Sequence, residues 1–359
     1  MSAELAARGA RVAIPAGGFR RIAVLRLSSL GDVILTLPVV RALAGAYPEA
    51  RIDYWVKEEY ADVVRFDPAI AHVRTLERDA RRIEDVVSMG AELEDTGLIV
   101  DLHASARTHV LTFRQRGIVL RAAGDRMLRS RWVHARWTHP RPARHTLERY
   151  AAALGPLGLA APGPPRVEVG PDAAQWAAEQ FGPAAGDVAR IAMCPGARHF
   201  TKRWPEEHWV ALHDRLAAAG AALVYVSTVP ERAALPRLAA RVAADPRASW
   251  WCESVARAGA ALSRCRVAVT CDSGLMHLAA ARGARVVAMF GSTAPELGFA
   301  PAGEGHVVLC RHEPCQPCTL HGHERCPKGH FRCMRLLEPA LVAEHALERL
   351  RPSPSSAGA

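Results

Sequence analysis

RIAVLRLSSLGDVILTLPVVRAL, residues 21–43, opens on aliphatic and β-branched residues and then changes period. Arg21–Leu27 reads as a buried strand. From Asp32 to Ala46 the apolar residues return at helical spacing. A strand that runs directly into a helix is the first half of a βαβ unit. The pattern continues outward. Arg51–Val56 and His72–Leu76 read as strands, and Leu98–Leu102 as a fourth, followed by a helical stretch near Ser105–Gln115. Such alternation predicts a parallel sheet covered by helices on both faces.

Gly155–Pro171 (GPLGLAAPGPPRVEVGP) is rich in Pro and Gly and reads as a linker. The alternation then restarts. Strands are expected at Arg190–Cys194, Ala221–Ser227, Arg266–Thr270 and Arg285–Phe290. Helices are expected at Pro205–Ala219, Pro230–Ala244, Gly274–Arg282 and Pro339–Leu350. The chain therefore divides into an α/β domain over 1–165, with 1–20 as a loose extension, and a second over 166–359. Two doubly wound domains facing each other would leave a cleft at the carboxyl ends of both sheets, where ligands bind in such folds. Pro352–Ala359 has the composition of a disordered tail.

Bulk composition narrows the function. The chain has 359 residues, half of them hydrophobic and 23% charged, as expected of a soluble globular protein. It has neither a signal-peptide pattern nor a run of about 18 apolar residues, which implies a cytoplasmic protein. The net charge of +10 favours an anionic partner. Between His103 and Tyr150 eleven arginines face only Asp125 and Glu148. That run is either a solvated arginine-rich face or a docking surface for phosphate and carboxylate groups.

Three segments place chemistry at strand ends. Ser28-Ser29-Leu30-Gly31-Asp32 follows the first strand. Gly31 permits close backbone approach, and Asp32 either caps the helix or stands as a general base. Pro195-Gly196-Ala197-Arg198 through Lys202-Arg203-Trp204-Pro205 leads into a helix N-terminus, which with Lys202 suits a diphosphate. It lacks the Walker A spacing and reads otherwise as a basic surface loop. Cys271-Asp272-Ser273-Gly274-Leu275-Met276-His277 follows a third strand. There Asp272 and Ser273 either cap the next helix or join Gly274 and His277 in a site.

All nine cysteines lie from Cys194 onward, and an odd number without a secretion signal argues against a disulfide framework. Cys315, Cys318, Cys326 and Cys333 have the spacing C-x2-C-x7-C-x6-C. This permits a four-thiolate site for structural zinc or iron within the loop 314–334, with His321, His323 and His330 as spare ligands. The alternative is a set of free thiols.

Taken together, residues 21–43, PGARHFTKRWPEEHWVAL (195–212) and VTCDSGLMHLAAARGARVVAMFGST (269–293) resemble the ADP-heptose:lipopolysaccharide heptosyltransferases of glycosyltransferase family 9. HTLERYAAALGPLGL (145–159) adds a weaker match. The cysteine segment 314–334 is similar to a form found in second-heptose transferases. The resemblance implies a GT-B fold of two Rossmann-like domains, with acceptor bound by the first and donor by the second. It implies Asp32 as base and Ser29, Gly31 and Arg107 on the acceptor side. Lys202, Asp272, Ser273, Gly274, His277, Arg198 and Glu231 would meet the donor. Some family members carry two hydroxyl residues where this chain has Ala197 and Arg198, so the hydroxyl contacts are lost there while the backbone N–H groups can still bind phosphate.

The implied reaction is an inverting transfer of heptose from ADP-heptose to the anionic inner core of lipopolysaccharide. No metal cofactor is required, because Lys202 and a helix N-terminus take up the leaving charge. The arginine run would hold the anionic acceptor and keep the enzyme against the inner face of the inner membrane. Two other readings remain open at this point: a related transferase acting on an autotransporter protein, and a non-enzymatic nucleic-acid-binding module. The cysteine loop is expected to lie away from the reacting groups, as a clip.

Overall fold

The computed structural model describes residues 12–76, 90–135, 144–161, 163–182 and 189–351. The tail 352–359, part of the N-terminal extension and part of the arginine run lie outside the described residues.

Contacts divide the chain into two units. The first runs to Asp125 and includes Arg144–Glu168. The second begins at Val169 and also takes in the helix Arg126–Ala135. That segment, which falls within the 1–165 domain expected from sequence, packs Trp132 and Val133 with Leu297, and Arg129 lies 4.8 Å from the centre of the Phe299 ring.

The first unit holds five parallel strands: β1 (Arg21–Leu25), β2 (Arg51–Lys57), β3 (His72–Leu76), β4 (Leu98–Asp101) and β5 (Ile118–Arg121), in the order β3-β2-β1-β4-β5. β1 pairs with β2 on one side and β4 on the other, so the order reverses between β1 and β4. Ala23, Leu25, Trp55, Ile99 and Leu111 form an apolar layer on the sheet, each at most 2% exposed. Burial of this kind contributes about 1.5–3 kcal/mol per large side chain.

The second unit repeats the plan with six parallel strands. They are β6 (Arg190–Cys194), β7 (Ala222–Val226), β8 (Ala248–Trp251), β9 (Val267–Cys271), β10 (Arg285–Phe290) and β11 (Val307–Cys310), in the order β11-β10-β9-β6-β7-β8. Here the reversal falls between β6 and β9. The helices Glu206–Ala218 and Pro339–Leu350 lie against each other over this sheet. Trp204 closes the layer, and its buried Nε1 donates to the Leu337 carbonyl at 3.1 Å.

The expected elements form, and several more appear. β5, β8 and β11 and the helices Arg126–Ala135, Thr146–Ala151 and Pro171–Phe181 were not expected from sequence. The stretch read as linker thus ends inside a helix start, with Pro171 at the first turn, where its missing N–H costs nothing. The helix expected over Pro230–Ala244 is two, Val229–Ala233 and Pro236–Ala243, because Pro236 cannot continue the first.

Candidate active site

In a doubly wound sheet, adjacent loops diverge where the strand order reverses and leave a crevice at the carboxyl ends. In the first unit that point lies between the loops after β1 and β4. Asp32 stands there in the first turn of the helix Leu30–Ala46. Ser29 is the N-cap residue, and its amide and hydroxyl reach Asp32 Oδ2 at 3.3 and 2.8 Å. Asp32 therefore does cap its helix, and Gly31 is buried in the same turn.

The carboxylate does more than cap. Arg26, at the end of the β1 run, pairs with Oδ2 at 2.9 Å, and the Tyr150 hydroxyl donates to Oδ1 at 2.7 Å. Arg26 also lies 5.2 Å from the centre of the Tyr150 ring and donates to the Leu102 carbonyl. Burial pushes the Asp32 pKa up, but Arg26, Tyr150 and Ser29 outweigh it and hold the carboxyl below its ordinary value. Burial, followed by the negative charge of Asp32, raises Tyr150, which stays protonated as a donor. Oδ2 is crowded by three donors, whereas Oδ1 accepts one hydrogen bond among the described residues and keeps a lone pair for another.

β4 supplies the other side of the crevice. Asp101 Oδ1 accepts from the amides of His103 and Ala104 at 3.1 and 2.8 Å and shapes that turn. His103 follows. Burial first, and then Arg26, lowers its pKa to about 4, so the ring is neutral at physiological pH. Its Nδ1 is buried and has no hydrogen-bond partner among the described residues. Arg107, partly exposed in the helix Ala106–Thr112, adds positive charge beside His103.

The second unit uses the same device between β6 and β9. Lys202 Nζ pairs with Asp272 Oδ2 at 2.8 Å, and Thr293 Oγ1 donates to the same oxygen at 2.6 Å. Ser273 is the N-cap residue of the helix Gly274–Ala281, but its side chain makes no capping bond and its buried Oγ has no hydrogen-bond partner among the described residues. Neither Asp272 nor Ser273 caps this helix through its side chain, so both are left for other work. His277 is buried within the same helix. Pro205 is the N-cap residue of Glu206–Ala218 rather than its first helical residue.

Glu231 stands in the first turn of the short helix Val229–Ala233 that follows β7, and it closes a capping box there. Its Oε2 accepts from the amide and hydroxyl of Thr228, both at 2.9 Å. A Cβ on Gly196 would stand 2.2 Å from this carboxylate, so the loop after β6 lies directly against it, and a side chain there would push the carboxylate aside. Arg198 is exposed. Sequence reading missed Arg26, Tyr150, His103, Thr201 and Thr293. A charged residue inside the apolar run RIAVLRL was the available signal for Arg26. Nothing local marked Tyr150, which comes from a distant helix.

The four clustered cysteines line one small pocket together with Thr201, Ser292 and His330. Burial, then its cysteine neighbours Cys318, Cys315 and Cys326, raises the Cys333 thiol to about 12. The donor set suits zinc or iron, but among the described residues no three His, Cys, Asp or Glu side chains stand in metal-ligating geometry. The pocket also touches Thr201, next to Lys202, which corrects the expectation that this loop lies away from the site.

His103 gives the first unit a measurable pH dependence. Below about pH 6.5 the unfolded chain takes up a proton that the folded protein refuses until about pH 4. Folding stability should therefore fall as pH drops across that window. Urea unfolding of wild type and His103→Gln at pH 7, 5.5 and 4.5 should show a shallower fall in the variant. Equal slopes would place the titrating group elsewhere.

These sites lie in a chain with known relatives. Residues 94–328 match the family glycosyltransferase family 9 (heptosyltransferase). Lipopolysaccharide heptosyltransferase 1 of Pseudomonas aeruginosa is 31% identical over 327 residues, which is 83% of this chain and 86% of the relative. A glycosyltransferase family 9 structure from Veillonella parvula superposes with a TM-score of 0.75 at 22% identity, covering 92% of this chain and 97% of the other. The ADP-heptose lps heptosyltransferase II of Escherichia coli superposes with a TM-score of 0.68 at 20% identity, covering 92% and 98%. The likeness in fold extends to the GT-B plan of two Rossmann-like domains. The chain belongs to glycosyltransferase family 9, the heptosyltransferases of lipopolysaccharide core synthesis.

Proposed function

We propose that the protein transfers heptose from ADP-heptose to the lipopolysaccharide inner core by a single inverting displacement. The observation that carries this reading is the pair of charged sites at the two points of strand reversal. One is a carboxylate with an open lone pair, and the other is a lysine steered by Asp272. Asp32 Oδ1 takes the proton of the acceptor hydroxyl as that oxygen attacks the anomeric carbon. The bond from that carbon to the diphosphate breaks, and ADP leaves. Asp32 is a weak base in the resting protein, but the hydroxyl becomes acidic as its bond to carbon forms.

Lys202 and the amides at the start of the helix Gly274–Ala281 take up the charge on the departing diphosphate. Asp272 holds Lys202 rather than meeting phosphate itself, since like charges repel. Ser273 Oγ, buried and without a hydrogen-bond partner among the described residues, gains one when donor binds. Glu231 and Gly196 form the wall for the ribose hydroxyls. His277, in the helix Gly274–Ala281, and exposed Arg198 are assigned to the donor side as well.

Ser29, Gly31 and Arg107 shape the acceptor side, where arginines suit the carboxylates and phosphates of the inner core. Among the described residues no helix is long and apolar enough to cross a membrane. We assign the enzyme to the cytoplasm, in peripheral contact with the inner leaflet through its basic surface, and give it no nucleic-acid partner. The cysteines would hold a structural zinc or iron only by drawing the thiols inward from their present positions. No step of the reaction passes through such an ion.

Asp32→Asn should keep ADP affinity and lower turnover about 10²–10⁴-fold, the usual loss on removing a general base. Steady-state rates with ADP-heptose and a truncated core acceptor check this. Turnover within about threefold of wild type would return Asp32 to capping alone. Use of an autotransporter protein but not the core as acceptor would redirect the assignment. Lys202→Ala should weaken ADP binding in calorimetry while acceptor KM holds. Unchanged ADP affinity would remove Lys202 from the donor site. Turnover should also survive excess EDTA, and a Mg²⁺-reversible loss would contradict the proposed charge stabilisation.

A further inference from the structure

The cysteine-bearing loop reaches Lys202 by two routes of hydrogen bonds. The first runs through Thr201, which is 1% exposed. Its amide donates to the His323 carbonyl at 3.1 Å, and its hydroxyl accepts from the His323 amide at 2.8 Å. The same hydroxyl lies 2.8 Å from Ser292 Oγ. Ser292 is tied in turn, because its amide donates to the Thr201 carbonyl at 3.1 Å and its carbonyl accepts from the Cys318 amide at 2.9 Å. Residue 201 is thus clamped on both backbone and side chain, one position before the lysine.

The second route runs through Gln316. Its Nε2 donates to the carbonyls of Phe290 and Thr293 at 3.1 and 3.0 Å, and its Oε1 accepts from the Glu313 amide at 3.2 Å. Thr293 then donates to Asp272, the partner of Lys202. The packing leaves no slack. A Cβ on Gly291 would meet the Thr201 carbonyl at 2.5 Å, and one on Gly322 would meet the His199 side chain at 2.4 Å.

We propose that Thr201 and Gln316 are positioning residues, and that the loop Glu313–His323 is a brace that fixes Lys202 and Asp272 for the donor diphosphate. The inference rests on the donor site assigned above. Both ends of the Lys202–Asp272 pair are held from one loop, so the distance and direction of the lysine are set before donor arrives. Neither Thr201 nor Gln316 needs to touch the donor for this. Donor affinity then depends on bonds that the loop makes to the site's own residues.

The test is calorimetry with ADP on the full chain. Wild type, Thr201→Val, Thr201→Ser and Gln316→Leu are compared, alone and with Lys202→Ala. Thr201→Val and Gln316→Leu should each weaken ADP binding up to about tenfold, the worth of a hydrogen bond or two. Acceptor KM should hold, and Thr201→Ser, which keeps the hydroxyl, should restore affinity to within about twofold. In the Lys202→Ala background the same changes should cost almost nothing, because the brace acts through the lysine. Lower melting temperature with wild-type ADP affinity would overturn the proposal, as would full additivity with Lys202→Ala. Should Thr201→Val not fold, Gln316→Leu decides by the same readings. Failure of wild type to bind ADP would overturn the donor-site assignment and the brace with it.

Discussion

Parallel pairing of β1 with β4, and of β6 with β9, is the constraint on which the rest of this protein depends. Parallel strands point all their carboxyl ends one way, and the helices that return the chain must leave from that edge. Where the order reverses, the departing loops diverge and leave backbone amides and side chains without cover. Asp32 and His103 stand at one such place, and Lys202 and Asp272 at the other. Each unit builds its site from the loops after two strands that are neighbours in space and distant in sequence.

The charges at these places are neutralised locally. Asp32 is held by Arg26, Tyr150 and Ser29 together, so its charge survives in a mostly buried setting. Removing one partner of such a pair strands the other, at a cost of about 3–5 kcal/mol where burial is complete. The same arrangement keeps the carboxylate ionised while leaving one side of it open. Lys202 and Asp272 form the corresponding pair in the second unit, again a charge held by an opposite one. A neutral His103 beside Arg26 belongs to this balance, since a second positive charge there would be disfavoured.

The cysteine loop is tied by hydrogen bonds to the residues around Lys202 and Asp272. Its four thiols line one pocket, yet its most consequential bonds are made by Gln316, the Cys318 amide and the backbone of His323. These bonds end on the residues around Lys202 and Asp272. A loop rich in Gly and His gains order by satisfying carbonyls at the end of β10 that would otherwise be left without partners.

The sequence by itself determined the two parallel α/β units and the positions of Asp32, Lys202 and Asp272 at strand ends, because central strands are buried on both faces and carry continuous apolar runs. It did not mark β5, β8 or β11, three four-residue edge strands that are only partly buried and so leave a weak apolar signal. Glu231 was legible only through resemblance, and its place against Gly196 became clear from the fold. Tertiary structure alone decided that Tyr150 meets Asp32 across 118 residues, and that Gln316 and His323 support Lys202. A hydrogen bond between distant residues leaves no periodicity in the chain. Periodicity reports which face is buried, and only folding reports what that face is buried against.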